Sequence, residues 1–254
     1  MKKPLICLLI IAFLGLCLPS STVFAKSEKK PITPPELKSI TFIHYTKPDK
    51  PDKPDKPVKP DDPLPPEPDN SAYKLLMLYL PDTTDYYVNP SGAPEGAFNE
   101  IQLSFETWDS VTTEELFNPA QQTSAYGLRY DGQNTISWVK IAPPKTIALT
   151  RLWYMDDGNP DTFDPVTEFD VAFNSFLAWG IDPDDEGPMT LSKAYDVQNI
   201  ATHEAGHVVG LADLYDDQYR ELTMYGYGRT GETIKLSLEE GDKAGAYSIY
   251  AAVP

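Results

Sequence analysis

The sequence predicts an α+β fold, a mostly single twisted sheet with three main helices. Two observations lead there. Short apolar runs with strand-like alternation appear first, and helical patterns are inserted among them rather than alternating strictly with strands. All four tryptophans fall within residues 71–254, a block of 184 residues that is long enough to bury one core.

The chain opens with Lys2 and Lys3, runs apolar from Leu5 to Leu18 and reaches "STVFA", ending at Ala25. A basic start, a short apolar core and small residues before a cut describe a secretory signal peptide over 1–25. The apolar run is short for a membrane span, which needs ~20 residues. The expectation is therefore a secreted, extracellular protein with no stable membrane insertion after cleavage. Both cysteines, Cys7 and Cys17, lie inside this segment, so the mature chain has no disulfide and no thiolate ligand. The formal charge is −17, and losing Lys2 and Lys3 takes it to −19. That argues against nucleic acid and anionic membrane as partners, since both need basic patches.

Residues 26–46 form an N-terminal segment and candidate propeptide. Its "SITFIHY" (Ser39–Tyr45) alternates like a strand, as the remnant of a prosegment or as an extra edge strand. Residues 47–70 follow as a linker, "KPDKPDKPDKPVKPDDPLPPEPD" and Asn70, a Lys-Pro-Asp repeat that can form neither helix nor sheet. In the block 71–254, "YKLLMLYL" (Tyr73–Leu80) reads as a strand. "FNEIQLSFETWDSV" places Phe98, Ile101, Phe105 and Trp108 on one face of a first helix. "NTISWVKI", "KTIALTRLWYM" and "TEFDVAFN" read as strands. "DVQNIATHEAGHVVGL" is a second helix with Asp196 as N-cap. "KLSLEEGDKAGAYSIYAA" is a third, with Ser237 and Glu240 at capping-box spacing.

The second helix holds two of the chain's three histidines, four residues apart with a glutamate between them. On a helix, His203 and His207 lie one turn apart on one face and can present imidazole nitrogens to a single zinc ion. Glu204 projects beside them and can reach a water without being a ligand. The plain alternative is a helix with two surface histidines, since so short a pattern arises by chance. The continuation argues against it. Gly210 can end the helix in a left-handed turn, and the chain then bends back so that Asp213 swings under the metal as third ligand. His44, far upstream, is not needed.

"HEAGHVVGLAD" followed by "TMYG" (Thr223–Gly226) resembles the metzincin signature, a long zinc-binding motif and then a turn that holds a methionine beneath the metal. Met224 fits that methionine. "FETWDSV", "NTISW", "EFDVAFN", "DVQNIATHEAGHVVGL" and "LEEGDKAGAYSIY", in that order, resemble matrixin-type metalloproteases, especially the prokaryotic ones. The resemblance covers most of 71–254 and none of the linker. It implies a metzincin-like catalytic domain with zinc in a cleft, held by His203, His207 and Asp213, with Glu204 as general base. Three departures stand out. Matrixins usually carry histidine where this chain has Asp213, which is similar to snapalysin-type enzymes. A cysteine-based latency is excluded, so any latency is expected to come from residues 26–70, by occlusion or by an oxygen or nitrogen donor such as His44 or the nearby acids. The position two after the Met-turn methionine, tyrosine in astacins and serralysins, is Gly226.

The implied activity is that of a secreted zinc endopeptidase, acting as a monomer on protein or peptide substrates. The substrate is expected to lie as an extended strand along a sheet edge. "KTIALTRLW" is the first candidate edge and "TEFDVAFN" the second. The segment after the Met turn is expected to wall the specificity pocket, with Tyr225 and Tyr227 as its candidates. Two acidic loops, "DDGNPD" and "DPDDEG", are candidate calcium sites through Asp157, Asn159, Asp161, Asp182, Asp184 and Glu186, or simply solvated loops. Neither completes an EF-hand, because the twelfth position from Asp182 is Lys193. A different class stays open: a catalytically inactive matrix- or wall-binding module on the same fold.

Overall fold

The computed structural model describes residues 34–48, 72–142, 145–182 and 193–253. The expected signal peptide (1–25), both cysteines, most of the expected linker, Asp184 and Glu186 lie outside the described residues.

In chain order the elements are β1 (Glu36–Thr46), β2 (Leu78–Tyr79), β3 (Tyr87–Asn89), α1 (Ala97–Asp109), β4 (Gln121–Gln122), β5 (Thr135–Val139), β6 (Thr146–Asp156), β7 (Asp164–Asn174), β8 (Trp179–Gly180), β9 (Tyr195–Asp196), α2 (Val197–Val209), β10 (Tyr227–Gly228) and α3 (Glu240–Tyr250). The class is α+β: one mixed eight-stranded sheet in the order β10-β1-β6-β7-β5-β3-β4, with β2 on β7, and three helices. β6 runs antiparallel to both β1 and β7, while β7, β5, β3 and β4 are mutually parallel.

The core lies between this sheet and the helices. α1 presents Ile101, Phe105 and Trp108 inward at helical spacing, all fully buried. Phe105 stacks on Tyr86 and meets Phe117 edge-on, with Phe169 of β7 behind them. The Trp108 indole N–H donates to the Thr202 carbonyl at 2.8 Å, fastening α1 to α2. All thirteen residues of α2 are buried, so its polar side chains must find partners inside the molecule.

Several sequence expectations need correction. "YKLLMLYL" yields only the two-residue β2, because its earlier amides and carbonyls pair with the loop after α2: Leu76 N–H donates to the Gly210 carbonyl and Ala212 N–H to the Lys74 carbonyl. The cap of α3 is Glu239 with Asp242, not Ser237 with Glu240. Ser237 is extended at the end of a 3₁₀ turn (Ile234–Leu236), and Asp242 accepts from Glu239 N–H at 3.1 Å. Neither "KTIALTRLW" nor "TEFDVAFN" is a sheet edge. β7 lies between β6 and β5, and the flank of β6 that faces away from β7 is taken along its whole length by β1.

Candidate metal centre and active site

Asp196 caps α2, its side chain accepting from Asn199 N–H at 2.7 Å, and Gly210 closes the helix at φ 112°. Only glycine takes that angle cheaply. Gly210 N–H returns to the His207 carbonyl and Leu211 N–H to the Gly206 carbonyl, which turns the chain so that Asp213 comes back beneath the helix.

His203 Nε2 then lies 3.2 Å from Asp213 Oδ1, and His207 Nε2 lies 3.6 Å from the same oxygen. The outer nitrogens are already used: His203 Nδ1 faces the Thr223 carbonyl at 2.7 Å and His207 Nδ1 the Leu211 carbonyl at 2.8 Å. A carbonyl only accepts, so each Nδ1 carries the proton and each Nε2 is left with a lone pair. Two lone pairs and a carboxylate oxygen thus converge, and all three atoms are buried without a hydrogen-bond partner. Such a cluster of acceptors is costly unless a cation sits among them. Ligands at ~2.0–2.2 Å from a tetrahedral zinc are spaced by about the separations seen here. The residues fit the ion.

Electrostatics agree with that fit. Burial holds His207 down at about 4, so it is a neutral imidazole. Tyr215 donates to Asp213 Oδ2 at 2.9 Å, fixing the carboxylate from outside.

Glu204 is fully buried beside the cluster. It accepts from Thr150 Oγ1 of β6 at 2.6 Å and lies 3.1 Å from His44 Nδ1. Burial pushes its carboxyl up to about 7. Met224 forms the floor: a Cβ on Gly206 would meet Met224 Sδ at 2.2 Å, so α2 rests directly on the turn. That turn is hung from α3, since Asp242 accepts from Thr223 N–H at 2.9 Å and Met224 N–H at 3.1 Å.

The structure therefore brings together His203, Glu204, His207, Asp213 and Met224. Tyr225 and Tyr227 lie further out, with the Tyr225 hydroxyl donating to Asp217 at 2.7 Å and Tyr227 pairing with β1. Of the candidate calcium residues, Asp157 groups with Asp156 and Asp164 rather than with Asp161. Asp157 and Asn159 accept backbone N–H groups within their own loop, and Asp156 pairs with Lys38. Asp182 is buried elsewhere, its N–H donating to Asp196 at 3.0 Å.

Sequence reasoning set His44 aside as the third ligand and kept it only as a candidate donor for latency, yet its ring is fully buried against His203 at a centroid distance of 4.0 Å. Only the rarity of histidine hinted at it. Thr150, Tyr215, Lys235 and Asp242 were missed as well, and only Asp242, three residues after the capping Glu239, left a recognisable spacing. No known family model and no curated protein matches this chain.

Proposed function

We propose that the chain is a secreted zinc-dependent endopeptidase, metzincin-like in its site, with His203, His207 and Asp213 as the metal ligands. The supporting observation is the convergence of two imidazole lone pairs and one carboxylate oxygen, all buried and all without partners. A zinc ion held there supplies Lewis acidity towards a water molecule and a peptide carbonyl.

The chain's own residues do the rest. Glu204 takes a proton from the attacking water and returns it to the leaving amine, a task suited to a carboxyl that titrates near 7. Thr150 donates to one Glu204 oxygen and orients the other. The Thr223 and Leu211 carbonyls hold the two imidazoles in the tautomer that leaves Nε2 free. Met224 packs rather than reacts, because a thioether is a weak partner for zinc.

The inactive-module reading draws on one observation, the complete burial of Glu204 under His44. Zinc stoichiometry and casein cleavage by the full chain separate the two. The expected results are one zinc per chain, cleavage that stops on metal removal, and a Glu204→Gln variant that keeps zinc but turns over ~10²–10⁴-fold more slowly. Cleavage that survives exhaustive metal removal, or a chain that binds no zinc, overturns the proposal. Zinc binding without cleavage, in this chain and in the β1 variants below, supports the inactive module.

A further inference from the structure

β1 runs antiparallel along β6 from Glu36, opposite Asp156, to Tyr45, opposite Thr146, with an irregularity at His44 and Tyr45. At that irregularity it swings across to pair in parallel with β10, Tyr45 with Tyr227 and Thr46 with Gly228. It therefore bridges the sheet edge and the segment after the Met turn, and it crosses the candidate metal centre between them. Phe42 stacks on His207 at 4.2 Å, and two residues on, His44 covers His203 and Glu204. Same-face residues of a strand lie two apart, so both anchors point at the centre and the chain between them passes over it.

The seat of His44 is a closed pocket. Its Nε2 lies 3.4 Å from Nζ of Lys235, a fully buried lysine that donates to the Tyr227 carbonyl at 2.8 Å and meets Glu232 at 3.4 Å. A Cβ on Gly228 would lie 3.1 Å from that Nε2, so glycine makes the room. The pocket presents the Glu204 carboxylate to one ring nitrogen and the buried Lys235 amine to the other, and the amine suits a tip that accepts a hydrogen bond.

β1 also contributes little to the core. Residues 36–41 are exposed, and no apolar residue of β1 is fully buried; His44 alone is. β6 remains paired with β7 if β1 leaves. Eleven residues are thus held by a backbone ladder, by polar side-chain contacts near the ends (Lys38 with Asp156, Ser39 with Arg151, Thr46 with Tyr195) and by two ring anchors, Phe42 and His44, on the catalytic face.

We propose that β1 is a tethered substrate mimic: it occupies the groove in which substrate peptides bind, with His44 in the specificity pocket, and it keeps the enzyme latent until it is displaced. This rests on the peptidase reading above. Substrates then bind as extended strands antiparallel to β6, with a ring two residues before a side chain whose tip accepts from Lys235. The tether is the proline-rich stretch 47–70, which keeps the mimic at high local concentration.

The test uses the zinc-loaded full chain, a Phe42→Gly/His44→Gly variant and a control Leu37→Gly/Ile40→Gly variant at two exposed positions in the remote part of β1. The probes are a quenched-fluorescence peptide substrate and a labelled synthetic peptide of residues 38–46. Removing the anchors should raise kcat/KM by at least ~10-fold through the larger open fraction, at unchanged zinc content, while the control stays near the parent. The labelled peptide should bind the anchor variant and not the parent, and its analogue with lysine for His44 should bind more weakly. Equal cleavage and equal peptide binding in parent and anchor variant overturn the proposal, as does equal binding of the lysine analogue. Peptide binding by the anchor variant without zinc or cleavage keeps the groove and rejects the peptidase reading instead. If the anchor variant does not fold, hydrogen exchange on the parent decides. Exchange of β1 amides ahead of β6 and β7 supports the mimic, and exchange of all three together overturns it.

Discussion

Asp213 carries the part of the site that a bare HExxH cannot supply. A catalytic zinc of this kind relies on three protein ligands, and Asp213→Ala leaves two imidazoles. Zinc affinity, measured by competition with a chromophoric chelator, should fall by more than the ~10–100-fold that the loss of an outer partner costs. Tyr215→Phe provides the comparison, since it removes only the 2.9 Å hydrogen bond onto Asp213 and should stay within that smaller range. Asp213→His should restore binding, because an imidazole can fill the same corner of the tetrahedron. His44 is the competing donor, 4.0 Å from His203 by ring centroid but with Nδ1 turned to Glu204. If His44→Ala loses zinc while Asp213→Ala keeps it, the ligand assignment is wrong.

The elements of the site meet at Gly206, where α2, α1 and the Met turn come into contact. A methyl group there would lie 2.2 Å from Met224 Sδ and 2.7 Å from Trp108 Cζ2, and none of the three elements has free space behind it. Gly206→Ala should destabilise the protein by about 1–3 kcal/mol through overpacking, read as a lower urea midpoint, and should weaken zinc binding as the floor shifts. An unchanged midpoint would mean that the turn yields freely and is no floor. The same helix explains what was readable in the sequence. Its N-cap Asp196, its histidines four apart and its closing Gly210 are local signals, and each stands in the structure where its spacing puts it. α1 was equally legible, because one apolar face at helical period means one buried face. Long-range pairing was not. Nothing in "SITFIHY" announces that it lies on β6 rather than at a distance, since alternation specifies a strand but not its neighbour. That omission also made β6 read as a free edge where β1 covers it, and hid the contacts of His44. Lys235 was invisible for a similar reason: its burial depends on Asn199, which accepts from its backbone N–H at 2.8 Å across 36 residues.

For the molecule as a whole, the formal charge of −17 treats every carboxylate as ionised, yet burial moves several of them towards neutrality. Asp109 is pushed up to about 6 and Asp170 up to about 7, in each case by burial. Asp170 matters most for the fold because it fastens β7 to the loop that enters β5, accepting from Arg129 N–H at 2.6 Å and Thr135 N–H at 2.8 Å. These amides favour the charged form, but burial outweighs them. The sign follows from linkage. An unfolded aspartate titrates near ~3.9, so between that pH and about 7 the folded state holds a proton that the unfolded state has lost. The stability that this group contributes is fully present below ~3.9 and is lost as pH rises through about 7. The slope from this one group is at most ~1.4 kcal/mol per pH unit. Urea unfolding of the metal-free chain at pH 5, 6, 7 and 8 should therefore show Asp170→Asn gaining on the parent as pH rises to 7, and no further gain above it. The asparagine loses one acceptor and so starts from a constant deficit of about 1–3 kcal/mol, which shifts the curve without tilting it. Glu204 and Asp109 are present in both proteins and cancel in the difference. Parallel curves across the whole range would show instead that the two backbone amides keep Asp170 ionised throughout.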